Sequence, residues 1–185
     1  MTRRRLSGAD RRAQLLDAAR DVVAAGGYPA LTMDRVAVES GVTRPVVYQQ
    51  FTDLSGLMTA LLDRESAIAF AGIGSVADVH SIDELGRGIL AYLHAAPASW
   101  RIILRPPDGA PPEVRTRVEL GRAYARSVAA RHLSIDPDSV AARVLLAAIE
   151  ELVRLHLDDP AAHPDEEILT YLRSLVVWAA GVTAG

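Results

Sequence analysis

Arg44, Tyr48 and Gln49 sit about one helical turn apart and bring a guanidinium, a phenol and a carboxamide together. A guanidinium can bond a phosphate oxygen or the edge of a guanine. A phenol can bond a phosphate, and a carboxamide offers adenine a donor and an acceptor at once. Thr43 and Pro45 share the outer edge of this segment, and Thr32 opens the segment before it. Backbone N–H groups at the two starts, Thr32 and Thr43, can meet further phosphates. The chemistry implied is recognition of duplex DNA, with no covalent bond made or broken. Paired carboxylates, a nucleophile–base set and a phosphate-cradling glycine loop are all missing from the sequence pattern. No catalytic residue is therefore assigned, and the chain does not read as an enzyme.

The element that must hold those groups is residues 32–51, read as two short helices joined by a tight turn. Val36, Ala37, Val42, Val47 and Phe51 converge inward, and Ala37 is small where the helices come closest. Thr32 and Thr43 are the helix caps. Gly41 supplies the left-handed turn residue that a β-carbon would strain, and Pro45 falls in the first turn of the second helix. Val46 either touches a thymine methyl or packs. The plain alternative is a helical hairpin whose polar face is merely solvated.

Around it the chain reads as all-α, with about nine helices. The first runs from Asp10, taken as its N-cap, to Gly26-Gly27. The second and third fall within 32–51, and the others at 53–71, 82–95, 98–105, 112–133, 137–157 and 165–181. Proline-rich and Asp-Pro punctuation separates the later helices. The domain expectation is a flexible basic arm at 1–9 carrying Arg3–Arg5, a helix-turn-helix domain at 10–52, and a larger bundle at 53–185 entered by a bridging helix, 53–71. Net charge is −3, but residues 1–56 hold eight arginines against six acids, so a basic front precedes an acidic body. There is no cysteine, which excludes disulfides and cysteinate metal sites. No apolar run suggests a membrane span or a secretory signal, so a soluble, cytoplasmic protein is expected.

Residues 10–65 resemble the N-terminal DNA-binding domain of the TetR family of bacterial transcriptional regulators. The matching positions are Leu15/Ala18/Ala19, Gly27-Tyr28, Thr32, Val36-Ala37, Gly41-Val42, Tyr48, Phe51 and Leu57. The resemblance implies an all-helical homodimer with residues 43–49 as recognition helix, and Thr32, Arg44, Pro45, Tyr48 and Gln49 as DNA contacts; Thr43 joins them from the reading of the helix edge. A lysine that many relatives carry three residues after the phenylalanine is Leu54 here, so that phosphate contact is not carried over.

For the body the resemblance is architectural. It implies a small-molecule pocket, for which Phe70, Tyr92, Trp100, Leu104, Arg122 and Tyr124 are the candidates; Arg122 is the best match for an anionic group, although a surface salt bridge is the favoured reading of it. It also implies a dimer interface on the last two helices. These are apolar on more than one face, which supports the expectation, and Val144, Leu145, Ala148, Leu152, Leu172 and Val176 are assigned to it. The five histidines, His80, His94, His132, His156 and His163, show no paired ligand spacing. The cluster Asp158, Asp159, His163, Asp165 and Glu166 reads as solvated, so no metal and no cofactor is expected. The function expected is a repressor released from a pseudo-palindromic operator by an unidentified small-molecule effector. The alternative is a DNA-binding protein without such a ligand, acting architecturally or through a protein partner.

Overall fold

A computed structural model describes residues 6–70, 82–105 and 111–183. These form α1 (Gly8–Gly26), a single 3₁₀ turn (Tyr28–Ala30), α2 (Met33–Glu39), α3 (Arg44–Gln50), α4 (Leu54–Phe70), α5 (Ile82–Ala95), α6 (Pro97–Leu104), α7 (Pro112–Leu133), α8 (Val140–Asp158) and α9 (Asp165–Thr183). The all-α expectation is met, and among the described residues there is no strand. The Arg3–Arg5 arm lies outside the described residues.

Helix ends follow local chemistry. The first cap is Ser7 rather than Asp10: the Ser7 hydroxyl accepts from the Asp10 N–H, and the Asp10 carboxylate faces back toward the Ser7 N–H. Both residues fit a cap by type, but Asp10 is the third-position partner of a capping box. Between α2 and α3, Gly41 has φ +66°. Its N–H donates to Val38 O and the N–H of Val42 donates to Ala37 O. This pair of bonds consumes carbonyls that the end of α2 would otherwise leave unpaired.

The seven-residue helices α2 and α3 are too short to persist alone. Their apolar faces bury Val36, Ala37, Val47 and Phe51 against Leu15, Ala19 and Val23 of α1. The polar side of α1 then closes both helices. Gln14 Nε2 donates to Ser40 O at 3.0 Å, Arg12 Nη1 donates to Gln50 O at 2.7 Å, and the Arg12 guanidinium lies 4.3 Å from the Phe51 ring centre.

The same core continues through Leu57, Leu61 and Leu62 of α4 to Ile102 of α6 and Val114 of α7. Leu54 packs partly buried against it. Front and body also share polar bonds. Tyr28 Oη donates to Ile102 O at 3.1 Å, and Arg105 Nη2 donates to Ala24 O at 3.0 Å. Arg64 Nη1 reaches Ala13 O at 3.3 Å and Asp17 Oδ1 at 2.9 Å. Burial holds the Tyr28 phenol above its ordinary pKa range, so it stays a neutral donor. A second apolar cluster joins Leu90 and Leu93 of α5, Val153 and Leu157 of α8, and Ile168, Leu169 and Leu172 of α9. No described helix is long and apolar enough to cross a membrane.

Candidate nucleic-acid interface and body cavity

Thr32, Thr43, Arg44, Pro45, Tyr48 and Gln49 are all solvent-exposed, while Val47 between them is fully buried. One edge of α3 is thus fixed inward and the other left free. Thr32 caps α2, its Oγ1 accepting from Arg35 N at 3.0 Å. Thr43 holds the cap position of α3, but its hydroxyl makes no capping bond there. Val46 is half-buried.

Arg44 and Tyr48 are coupled before any DNA arrives. Arg44 Nη2 donates to the Tyr48 hydroxyl at 3.2 Å, and its guanidinium sits 5.4 Å from the Tyr48 ring centre. Arg44 Nε also lies 3.2 Å from Asp34 Oδ1 on α2. The bond to Tyr48 first, and then Asp34, hold the Arg44 pKa above its ordinary value. Asp34 was not legible as a partner, because the pairing crosses the turn between two helices. A phosphate would have to draw the guanidinium away from it.

In the body, α4 to α9 surround a cavity of about 210 Å³. Tyr92, Trp100, Leu104, Arg122 and Tyr124 all line it, with Leu93, Val118, Ile149 and Val153 among their neighbours. The side chain of Phe70 lies outside the described residues. Arg122 does not offer a spare charge: its Nη1 is 2.9 Å from Glu119 Oε1 and its Nε 3.1 Å from Glu150 Oε1. Two carboxylates already answer one guanidinium, which is the salt-bridge reading of Arg122 rather than the anion-binding one.

The residues assigned to a dimer face divide. Val144 is exposed, and Ala148 and Leu152 are half-buried. Leu145, Leu172 and Val176 are buried within the chain itself and belong to its core, which corrects their assignment to a free surface. The exposed apolar residues on α8 and α9 are instead Val140, Val144, Tyr171, Val177, Trp178 and Val182. On helices apolar nearly all round, the sequence pattern does not say which stripe faces inward.

Three further residues meet although none was singled out as a group. His94 at the end of α5, His156 at the end of α8 and Asp165 at the start of α9 place one ligand-type atom each within 4.8 Å of the others.

Residues 15–61 match the model of the family described as bacterial regulatory proteins, tetR family. Over 69 residues the chain is 41% identical to the HTH-type transcriptional activator FasR of Mycolicibacterium smegmatis, a match covering 37% of this chain and 32% of that protein. Among solved structures, a TetR-like transcriptional regulator from Rhodococcus sp. RHA1 aligns with a TM-score of 0.72 at 22% identity, over 98% of this chain and 100% of that one. The SmeT–triclosan complex aligns with a TM-score of 0.65 at 20% identity, over 92% and 91% respectively. At these identities the structural likeness is one of fold.

Proposed function

We propose that this chain, a member of the tetR family of bacterial regulatory proteins and so a DNA-binding regulator of transcription, is a homodimeric repressor released from its operator by a small molecule. The observation that carries this reading is the free edge of α3. Its Arg44, Tyr48 and Gln49 face solvent while the Arg12 bond from α1 and the buried Val47 anchor the helix. The helix-turn-helix domain is taken as 10–52, and the body as 53–185. Thr32, Thr43, Arg44, Pro45, Tyr48 and Gln49 are the proposed DNA contacts.

Two copies would pair through the exposed apolar strip of α8 and α9, with Val144, Val177 and Trp178 at its centre. They would set two α3 helices into successive major grooves of a pseudo-palindromic site, about 34–36 Å apart or a small multiple of that. Such a regulator works in the cytoplasm, where its operator is. The effector is a small, mainly apolar molecule. An engineered apolar cavity of about 150 Å³ accepts benzene, and the cavity here is about 210 Å³ with its two arginines, Arg117 and Arg122, already paired. Triclosan, named in the neighbouring complex, is the kind of compound meant. For release, the effector must bind the DNA-incompetent state more tightly, since equal affinity for both would shift nothing.

A second reading of sign rests on the relative named an activator. Whether occupancy blocks or aids transcription depends on where the operator lies relative to the promoter, while the contacts stay the same.

The test is selection of bound sequences from random or genomic DNA, followed by binding in the presence of candidate small molecules. The expected affinity is about 10⁻⁸–10⁻¹¹ M at physiological salt and falls steeply as salt rises. The Arg44→Ala/Tyr48→Ala double variant should lose the selected site. Binding equal to that of the parent would overturn the assignment of α3.

A further inference from the structure

We propose that His94, His156 and Asp165 form a binding site for a divalent transition-metal ion of the zinc class. His94 Nε2 lies 3.1 Å from His156 Nε2. Asp165 Oδ1 lies 3.3 Å from the first and 3.5 Å from the second. The ring centres are 5.3 Å apart, further than the two Nε2 atoms, so the imidazoles meet tip to tip with those nitrogens leading. Zinc holds nitrogen and carboxylate ligands at about 2.0–2.2 Å, which separates neighbouring corners of its tetrahedron by about 3.3 Å. The observed triangle has that size. An ion bonded to all three corners would stand about 0.7 Å off their plane, leaving the fourth corner open toward solvent for a water molecule.

The tautomer of His156 supports the assignment. Its Nδ1 is 2.8 Å from the His163 carbonyl, which can only accept, so Nδ1 carries the proton. In the neutral ring, Nε2 then presents a lone pair to the triangle. This is the outer bond that metal-ligating histidines characteristically make. Asp165 presents lone pairs to the same point, and His94 Nε2 carries at most one hydrogen with which to answer two acceptors. A centre of positive charge satisfies all three at once. His156 is 3% exposed and held among the ends of α5, α8 and α9, whereas His94 and Asp165 are about half exposed and give an ion access. Two imidazoles and one carboxylate suit zinc, cobalt, nickel or copper. They do not suit magnesium or calcium, which take oxygen donors.

Bound there, the ion ties α5 to the turn between α8 and α9, beside the cluster of Leu93, Leu157 and Ile168. The test titrates the chelator-treated full chain with Zn²⁺ alone, by calorimetry and by thermal melting, and with Co²⁺ by visible absorption. The expected result is one Zn²⁺ per chain, a raised melting temperature and the intense absorption of low-coordinate Co²⁺. His94→Ala and Asp165→Asn change exposed residues and should leave the fold intact. Each should weaken Zn²⁺ by at least about 100-fold, beyond what loss of an outer-shell partner costs. His163→Ala keeps the backbone carbonyl and should bind as the parent does. The absence of saturable Zn²⁺ binding, or binding unchanged in His94→Ala and Asp165→Asn, would overturn the proposal.

Discussion

Ser99→Ala should destabilise this protein far more than the loss of one oxygen suggests. Glu65 of α4 is fully buried, and its two carboxylate oxygens are held differently. Oε1 accepts Nε and Nη2 of Arg64 at 2.8 and 2.6 Å, while Oε2 accepts the Ser99 hydroxyl of α6 at 2.5 Å. Ser99 is itself buried, so water does not readily replace its hydroxyl. A hydrogen bond to a charged group contributes about 1.5–3 kcal/mol, and an abandoned buried acceptor loses most of that. At about 2–4 °C per kcal/mol for a chain of this size, the melting temperature should fall by roughly 3–12 °C. The assay is thermal and urea unfolding at one fixed protein concentration, because association would make the midpoint concentration-dependent. Repeating Ser99→Ala in a Glu65→Gln background should cost clearly less, since the acceptor is then uncharged. A loss under about 0.5 kcal/mol for Ser99→Ala, the range of an ordinary surface change, would refute the reasoning.

Asp34→Asn should tighten operator binding roughly two- to fivefold per head if α3 makes the proposed contacts, because it frees Arg44 and removes a negative charge beside them; a salt series of anisotropy titrations measures it. Trp178→Ala should weaken self-association by about 30-fold or more if the exposed strip of α8 and α9 joins two copies, as light scattering coupled to size exclusion would record. Asp83 of α5 accepts a hydrogen bond from Arg173 of α9, and this contact chiefly lowers its pKa. A depressed carboxyl pKa stabilises the fold above the unfolded value and is lost as pH falls through about 4 and below. Asp83→Asn should therefore reduce stability at neutral pH and flatten the acid limb of a pH-dependent melting series.

Much of the fold was legible because its boundaries are written locally. Gly27 and Gly41 adopt positive φ where helices stop, and Pro45, Pro97 and Pro112 fall in first turns where a missing N–H costs nothing. Ser7 and Asp10 show the limit of such signals, since either fits a cap by type and only their mutual bond assigns the roles. The outer edge of α3 was legible for a similar reason: it follows from the alternation between Val47 and its neighbours. What the sequence hid was long-range. His94 and His156 are 62 residues apart and share no spacing rule. Arg122 sits in an apolar run that hides Glu150, which belongs to another helix. On α9, Leu172, Val176, Val177 and Trp178 are all apolar, so only packing could divide buried Leu172 and Val176 from exposed Val177 and Trp178.

The first helix is moored at two separate places. Near its middle, Ala13 and Asp17 are held by Arg64 of α4; at its far end, Ala24 and the adjoining Tyr28 are held by Arg105 and Ile102 at the end of α6. Trp100 and Leu104 of α6 are also walls of the cavity. A body tethered at a single point can swivel without doing work, but one pinned at two must turn when the pins move apart. The short helix that walls the cavity is thereby bonded directly to the first helix, a second join between body and front beside that of α4.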